Sequence, residues 1–267
     1  MKKRTLILVI LFLVAFGIIG VAIMPASFIA SQVTPSLPPQ VAIENVKGNM
    51  WTGEASVRWG GDAAGGRATG GGPGAPGAGS IVIEKVQWRF KPQRLANGMV
   101  AFDTAVTSGG FEAKGEVQRD GSRWRVRDFR LDGDASGFAT IFPILAIYRF
   151  TGPVTATAAS LEGTDREVWG DVRIEWHDAA TGMSAVRPIG AYRADWHADG
   201  LIGRINVATL AGPLRVSGAG TTTMPTYLDF TGEAGADASA GLALDPLLAQ
   251  IGPRKPNGAH AIQIRLR

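Results

Sequence analysis

Histidine is the residue type in this sequence with the clearest capacity for acid–base or metal chemistry. His177 and His197 occupy polar positions of two predicted strands, and His260 lies near the C-terminus. If the two strands paired, the imidazoles could approach one another and Glu175 or Asp195, and such a group could bind a metal or transfer protons. The alternative, which we favour, is that these histidines are polar residues on the solvated face of a sheet.

The sequence shows no other catalytic arrangement. Carboxylates stand singly or beside arginines, as in Arg119-Asp120 and Arg127-Asp128, and no serine lies in a nucleophile-elbow or Ser-x-x-Lys sequence. Cysteine is absent, which removes thiolate nucleophiles, thiolate metal sites and disulfides. We therefore expect no enzymatic activity, no catalytic residue, no cofactor and no bound metal.

The charge of the chain argues against nucleic acid as a partner. The formal net charge of +4 includes Lys2, Lys3 and Arg4, so the remainder is nearly balanced. A nucleic-acid-binding domain would show a basic patch, a binding motif, or aromatic residues interleaved with a Lys/Arg cluster. None of these is present in the sequence, and we expect no nucleic-acid partner.

An apolar run, TLILVILFLVAFGIIGVAI, covers residues 5–23 without a charge or a proline. At 1.5 Å rise per residue, a helix of this length just crosses the roughly 30 Å hydrocarbon layer of a bilayer. A helix also satisfies its own backbone hydrogen bonds, as lipid requires. We predict one transmembrane helix over 5–23, whose anchor residues include Thr5, Leu8, Leu11, Phe12, Phe16, Ile19 and Ile23.

The residues that flank this helix predict its direction. Lys2, Lys3 and Arg4 precede it, and no positive charge follows until Lys47, so residues 1–4 should stay in the cytoplasm and the rest should be exported. A cleaved signal peptide is the alternative, but its apolar core is usually about 7 to 15 residues long. The run is longer here and is followed by a poor cleavage site, so we favour an uncleaved anchor.

Beyond a Pro-containing tether at 24–40, the sequence is typical of antiparallel β-structure. Apolar and polar residues alternate with period two, which predicts strands with one solvated and one buried face. The clearest runs are 82–90, 111–117, 172–177, 192–196, 201–207 and 262–266. We predict a mainly β fold that begins near Val41.

Two stretches predict short helices. Residues 138–148 carry apolar side chains near helical spacing, and Pro143 limits them to a short or kinked helix. In the second stretch, Asp245 would be the N-cap, Pro246 the first helical residue and Gly252 the stop signal. Each predicted helix follows a group of strands.

Residues 60–80 form a Gly-rich stretch with only small or polar neighbours. Such a composition buries too little apolar area to offset the entropy of ordering, so we predict a disordered surface insert. A phosphate-binding loop is the alternative, but no Gly-Lys-Ser/Thr sequence ends the stretch.

The sequence also contains a candidate internal repeat. Residues 51–59 resemble 169–176, and 110–115 resemble 212–218, with the Gly-rich insert accounting for the difference in spacing. Chance similarity in a strand-rich sequence is the alternative. We predict two similar units, 41–150 and 151–267, each ending in a short helix, in a bent or U-shaped sheet whose apolar face could form a groove.

The seven tryptophans mostly occupy apolar strand positions. They are Trp51, Trp59, Trp88, Trp124, Trp169, Trp176 and Trp196. We expect core packing for most of them, and the alternative is an aromatic surface for a lipid tail or a partner's strand.

Several short motifs, taken together in order and spacing, resemble one protein family. They are Pro25-Ala26; Gly48-x-x-Trp51-x-Gly53-x-Ala55; Gly190-x-Tyr192; Gly212-Pro213-Leu214 with Gly218; and residues 247–252. The chain is similar to type II secretion system protein N, the general secretion pathway protein N family. Asn49, Met50 and the Gly-rich insert depart from the family pattern.

This resemblance implies an inner-membrane, single-pass component of the machine that moves folded periplasmic proteins across the outer membrane. Its bulk would lie in the periplasm and its partners would be other secretion subunits, with no catalytic residue to transfer. The chain is also similar to AsmA-type proteins, whose bent sheets offer apolar grooves to lipids. A periplasmic lipid-binding or lipid-transfer protein is therefore the alternative function.

Overall fold

The computed structural model describes residues 25–27, 30, 41–59, 81–141, 143–223, 227–238 and 240–266. The predicted anchor at 5–23, its flanking charges and the Gly-rich stretch 60–80 lie outside these residues. Within the described ranges, no helix is long and apolar enough to cross a bilayer. The chain divides into two compact units, Met1–Phe90 and Lys91–Arg267. The sequence repeat, whose halves would meet at residue 150, and the bent sheet stay predictions.

The first unit contains three antiparallel strands. They are β1 (Val41–Gly48), β2 (Thr52–Trp59) and β3 (Ile81–Phe90). A β-bulge interrupts the pairing of β1 with β2 between Glu44 and Lys47. At its far end β2 pairs with β3 up to Trp59 and Ile81, the residues on either side of the Gly-rich stretch.

The second unit is an antiparallel meander in which strands pair in chain order from β4 to β13. Its strands are β4 (Val100–Ser108), β5 (Phe111–Asp120), β6 (Arg123–Asp134), β7 (Pro153–Gly163), β8 (Val168–Ala179), β9 (Gly190–Gly200), β10 (Ile202–Ala211), β11 (Leu214–Thr223), β12 (Tyr227–Ala236) and β13 (His260–Leu266). The predicted runs lie in strands, apart from Leu201, which is in a turn. The mainly β antiparallel class is confirmed.

Alternation places charged and apolar side chains on opposite faces of the strands. In β8 and β9, Ile174 lies opposite Ala194, whereas Arg173 lies opposite Asp195 and donates to its carboxylate at 2.8 Å. Trp176 continues the apolar face of β8 and packs against the core. The period of two in the sequence therefore corresponds to a real division between a packed and a solvated face.

The predicted helix at 138–148 is short and broken. A 3₁₀ turn (Ala135–Gly137), a single-turn helix α1 (Phe138–Ile141) and a 3₁₀ helix (Pro143–Tyr148) follow one another. A further 3₁₀ helix (Pro92–Asn97) precedes β4. The prediction of a short or kinked element is confirmed.

The second predicted helix, α2 (Gly241–Ile251), begins earlier than expected. Gly252 follows its end as predicted, but Asp245 is not the N-cap and Pro246 lies inside the helix. The extra turn is held by Leu244, which is fully buried and whose N–H donates to the Ala240 carbonyl at 3.0 Å. Burial of a leucine outweighs the local capping signals that predicted the start.

Two buried clusters hold the helical segments to the sheet of the second unit. Under α2, the cluster comprises Ala179, Ile189, Leu214, Ala234, Leu244, Leu247 and Leu248. Under the 135–148 segment, Phe111, Ala135 and Val154 are buried, and the ring of Phe138 lies 5.1 Å from that of Phe111. Both helical segments cover the apolar face directly after a group of strands.

Candidate functional site

The first family motif forms a tight turn between β1 and β2. Asn49 Oδ1 accepts hydrogen bonds from the backbone N–H groups of Trp51 and Thr52, both at 2.9 Å. Pro25 forms a β-bridge with Asn49 and so pairs with this turn, and the adjacent Ala26 is buried. Asn49 departs from the family pattern, yet its side chain orders the turn by itself, as asparagine does in Asx-turns.

Close backbone approach explains the glycines of this motif. A Cβ at Gly53 would stand 2.4 Å from Cζ2 of Trp88, and one at Gly48 would stand 2.4 Å from the carbonyl oxygen of Thr52. The Trp51 ring lies 4.9 Å from that of Phe90, and Ala55 is buried. These motif residues pack the hairpin and expose no reactive group.

The second family motif joins β9 to the turn before β11. The Tyr192 hydroxyl donates to the Leu214 carbonyl at 3.1 Å, and burial raises the pKa of Tyr192 above its usual value. A Cβ at Gly212 would stand 2.3 Å from the Cα of Gly190, so the two backbones touch. The Pro213 carbonyl accepts from the N–H of Asp237 at 2.8 Å. The structure thus brings together motif residues that are more than 20 positions apart in sequence.

Gly218 of β11 has the same role on the apolar face. A Cβ there would stand 2.5 Å from Cζ of Phe230, which is buried on β12. The aromatic ring therefore occupies the space above the glycine. These motif residues pack strands against one another, which fits a structural rather than a chemical role.

Three tryptophans lie over glycines of neighbouring strands. Besides Trp88 over Gly53, the Trp124 ring lies over Gly163 and the Trp196 ring over Gly203. Each indole N–H also donates, to Asn49 O, Thr164 O and Thr222 Oγ1 respectively. These three tryptophans are partly buried between strands, whereas Trp169 is 40% exposed.

The structure does not bring the histidines together. Strands β8 and β9 do pair, but His197 lies opposite Asp171 and contacts its carboxylate at 2.8 Å. His177 is six residues further along β8, about 20 Å away at 3.3 Å per residue, and contacts Glu175 at 3.1 Å. His260 contacts the Gly252 carbonyl at 2.8 Å. Within the described residues, no group of three or more His, Cys, Asp or Glu side chains could hold a metal.

A buried carboxylate that sequence reasoning missed lies on β5. Glu116 is 7% exposed and accepts hydrogen bonds from Lys91 Nζ at 2.6 Å, from Arg94 Nε at 2.9 Å and from the amide of Gln118. Burial alone would raise the pKa of Glu116, but these donors outweigh it and lower the pKa to about 2. A carboxylate of this acidity is a poor general base and acts as a structural anion.

This cluster fastens the 3₁₀ helix Pro92–Asn97, which contributes Arg94, to the sheet. Alternation correctly places Glu116 on the polar face of β5. No sequence period indicates that a 3₁₀ helix will cover that position, so its burial could not be foreseen.

An apolar cavity of about 320 Å³ lies on the packed face of the second unit. Its lining comprises Phe138, Val154, Ile174, Trp176, Tyr192, Arg193, Ala194, Val207, Leu214 and Val216. Ile174 remains 37% exposed, so the apolar face is not completely covered here. The cavity could accept an apolar group but holds no arrangement for bond cleavage.

Comparison with known families gives a match over most of the chain. The family model for type II secretion system (T2SS), protein N, matches residues 39–263, which include most of the described residues of both units. No curated protein and no solved structure matches the chain. The chain therefore belongs to the type II secretion system protein N family.

Proposed function

We propose that this chain is an inner-membrane component of the type II secretion system that supports export by binding other subunits. The family match over residues 39–263 is the observation that carries the proposal. In this proposal, residues 5–23 anchor the chain in the inner membrane and both β units lie in the periplasm.

A binding role is supported by what the motif residues do. Gly53, Gly190 and Gly212 allow close backbone contacts, and Tyr192 joins β9 to the start of β11. Residues of this kind hold the strands in place, and so keep the shape of a binding surface, rather than take part in a reaction. The solvated face carries paired charges, such as Arg173 with Asp195, and these suit reversible polar contacts with another protein.

The test compares secretion in three strains. One lacks the chain, one carries it intact, and one carries residues 24–267 behind a cleavable signal peptide. We expect the first strain to accumulate a substrate of the system in its periplasm and the second strain to secrete it. The third strain should retain the substrate in its periplasm, as the first does. Equal secretion by all three strains would overturn the proposal.

A lipid-binding role is the second candidate, and the apolar cavity is the observation that favours it. An acyl chain would contact Ile174, Val207 and Val216 and meet a single charged side chain, Arg193. The full chain would be extracted in detergent and its bound lipid measured by native mass spectrometry. Ile174→Lys should remove bound lipid, whereas Ile202→Lys, at an exposed position away from the cavity, should not. An intact chain without lipid would contradict this role.

A further inference from the structure

The outer edge of β13 is a strand edge of the second unit that is largely open among the described residues. Strand β13 pairs with β12 over seven consecutive residue pairs, from Ala234 with His260 to Leu228 with Leu266. On its other side, the described part of the chain supplies no neighbouring strand. The edge therefore presents backbone groups without a partner strand.

One hydrogen bond shows which residues of β13 direct their backbone N–H and C=O groups away from β12. The Ala261 N–H donates to the Pro253 carbonyl at 2.9 Å, on the side away from β12. Because backbone groups alternate along a strand, the N–H and C=O groups of Gln263 and Arg265 face the same way. Ile262 and Ile264 instead direct their backbone groups to β12.

Among the residues that the structure describes, a short segment of the chain occupies the start of this edge. Arg254 forms a β-bridge with His260, and a Cβ at Gly252 would stand 2.0 Å from the Ala261 carbonyl oxygen. The short segment after α2 thus continues the sheet as far as Ala261. An incoming strand would begin opposite Gln263.

Strand β1, the outermost strand of the first unit, shows what a protected edge looks like in this protein. A bulge between Glu44 and Lys47 interrupts it, Asn45 has a left-handed φ of +54°, and Lys47 is exposed. Such interruptions and charges commonly prevent strand addition. Strand β13 has an unbroken register and no glycine, proline or positive φ.

The side chains of β13 specify the chemistry of a partner strand. Ile264, 43% exposed, continues the apolar face beside Phe230 of β12. Arg265 lies opposite Asp229 on the polar face and contacts its carboxylate at 3.2 Å. A matching strand would place an apolar residue beside Ile264 and an acidic residue beside Arg265.

A second copy of the chain is a weaker partner for this edge. Only Gln263 and Arg265 offer outward backbone groups among the described residues of the open part. Two such short edges would bury far less than the roughly 1,000 Å² that a stable interface needs. An extended segment of a different subunit could add contacts elsewhere on its own domain.

We propose that the β13 edge from Gln263 onward binds an extended, amphipathic, acidic segment of another secretion subunit by antiparallel strand addition. This inference rests on the proposed function and specifies the mode of binding. The backbone of Gln263 and Arg265 provides the hydrogen bonds, and Ile264 provides the apolar contact.

The test places a photoreactive phenylalanine analogue at Ile264 of the full-length chain in the native envelope. Arg265→Pro removes one outward N–H and no bond to β12, and Arg265→Thr is its matched control because both lose the ion pair with Asp229. Gln263→Pro and Gln263→Thr form a second pair. Equal melting temperatures within each pair show that folding is unchanged, since proline is tolerated on edge strands.

We expect a crosslink to another secretion subunit, identified by mass spectrometry, that falls about tenfold from the threonine to the proline variant of each pair. Equal crosslinking within each pair, or an adduct between two copies of this 28.0 kDa chain, would overturn the inference. If only the inference fails, the proline variants restore secretion to the strain that lacks the chain as well as the threonine variants do. If the proposed function fails, even the strain without the chain secretes normally.

Discussion

Trp88 lies over Gly53 on the neighbouring strand, so close that a Cβ on the glycine would stand 2.4 Å from the indole Cζ2. Gly53→Ala should therefore force the ring or the strand to move. Overpacking of this kind costs about 1–3 kcal/mol, which corresponds to a fall of roughly 2–10 °C in melting temperature. Gly235→Ala is the control, because its new Cβ would meet nothing nearer than 4.0 Å. Equal melting temperatures for the two variants would contradict the prediction.

Glu116 should make stability depend on acid pH. Its pKa of about 2 in the folded chain lies below the ordinary 4.5, so its contribution is complete above pH 4.5 and is lost as the pH falls towards 2. A shift of this size corresponds to about 3 kcal/mol. Glu116→Gln should lower the free energy of unfolding at pH 7 and reduce the loss between pH 4.5 and 2, measured by denaturant titration.

Glu112→Gln is the matched control for that measurement. Glu112 lies on the same strand, but its side chain is 56% exposed and pairs with the exposed Lys114. Glu112→Gln should leave the acid dependence of the free energy of unfolding close to that of the unmodified chain. The same acid dependence in both variants would show that the buried cluster is not its source.

Removing residues 61–79 should leave stability unchanged. The deletion joins Trp59 and Ile81, which are already directly paired, through a two-residue Gly60-Ser80 loop. Glycine at the first position of such a loop suits the tight turns that connect hairpin strands. We expect the melting temperature to stay within about 2 °C, since the removed residues carry little apolar surface. A larger fall would mean that the insert packs against the folded unit.

Tyr192→Phe should destabilise the second unit modestly. The variant keeps the ring but leaves the Leu214 carbonyl without the hydroxyl donor at 3.1 Å. Loss of one buried hydrogen bond costs about 1 kcal/mol, or roughly 2–4 °C in melting temperature. No change in the thermal unfolding curve would show that the Gly190–Gly212 contact joins the strands without help from the hydroxyl.

The strands could be predicted from the sequence because a strand with one buried and one solvated face alternates apolar and polar residues. Val172 to His177 alternates without interruption, and β8 contains all of it. The glycines of the first family motif were also informative, because Gly48 and Gly53 lie beside the turn between β1 and β2. These properties depend on local sequence, which is why they were accessible.

Features that depend on strand register, or on which segment packs over a strand, could not be predicted from the sequence. The distance between His177 and His197 follows from which residues of β8 and β9 are opposite, and the sequence does not state that register. The early start of α2 depends on burial of Leu244 against the sheet. Glu116 is buried by a 3₁₀ helix that no hydrophobic period indicates.

Because the described strands from β4 to β13 pair with one another in chain order, a polypeptide made from its N-terminus to its C-terminus does not have to wait for a distant partner strand. Each new strand would meet a neighbouring strand that had already been synthesised, at the small entropic cost of closing a short loop. Unfinished chains would expose one growing sheet edge at a time, which limits the opportunity for aggregation during synthesis.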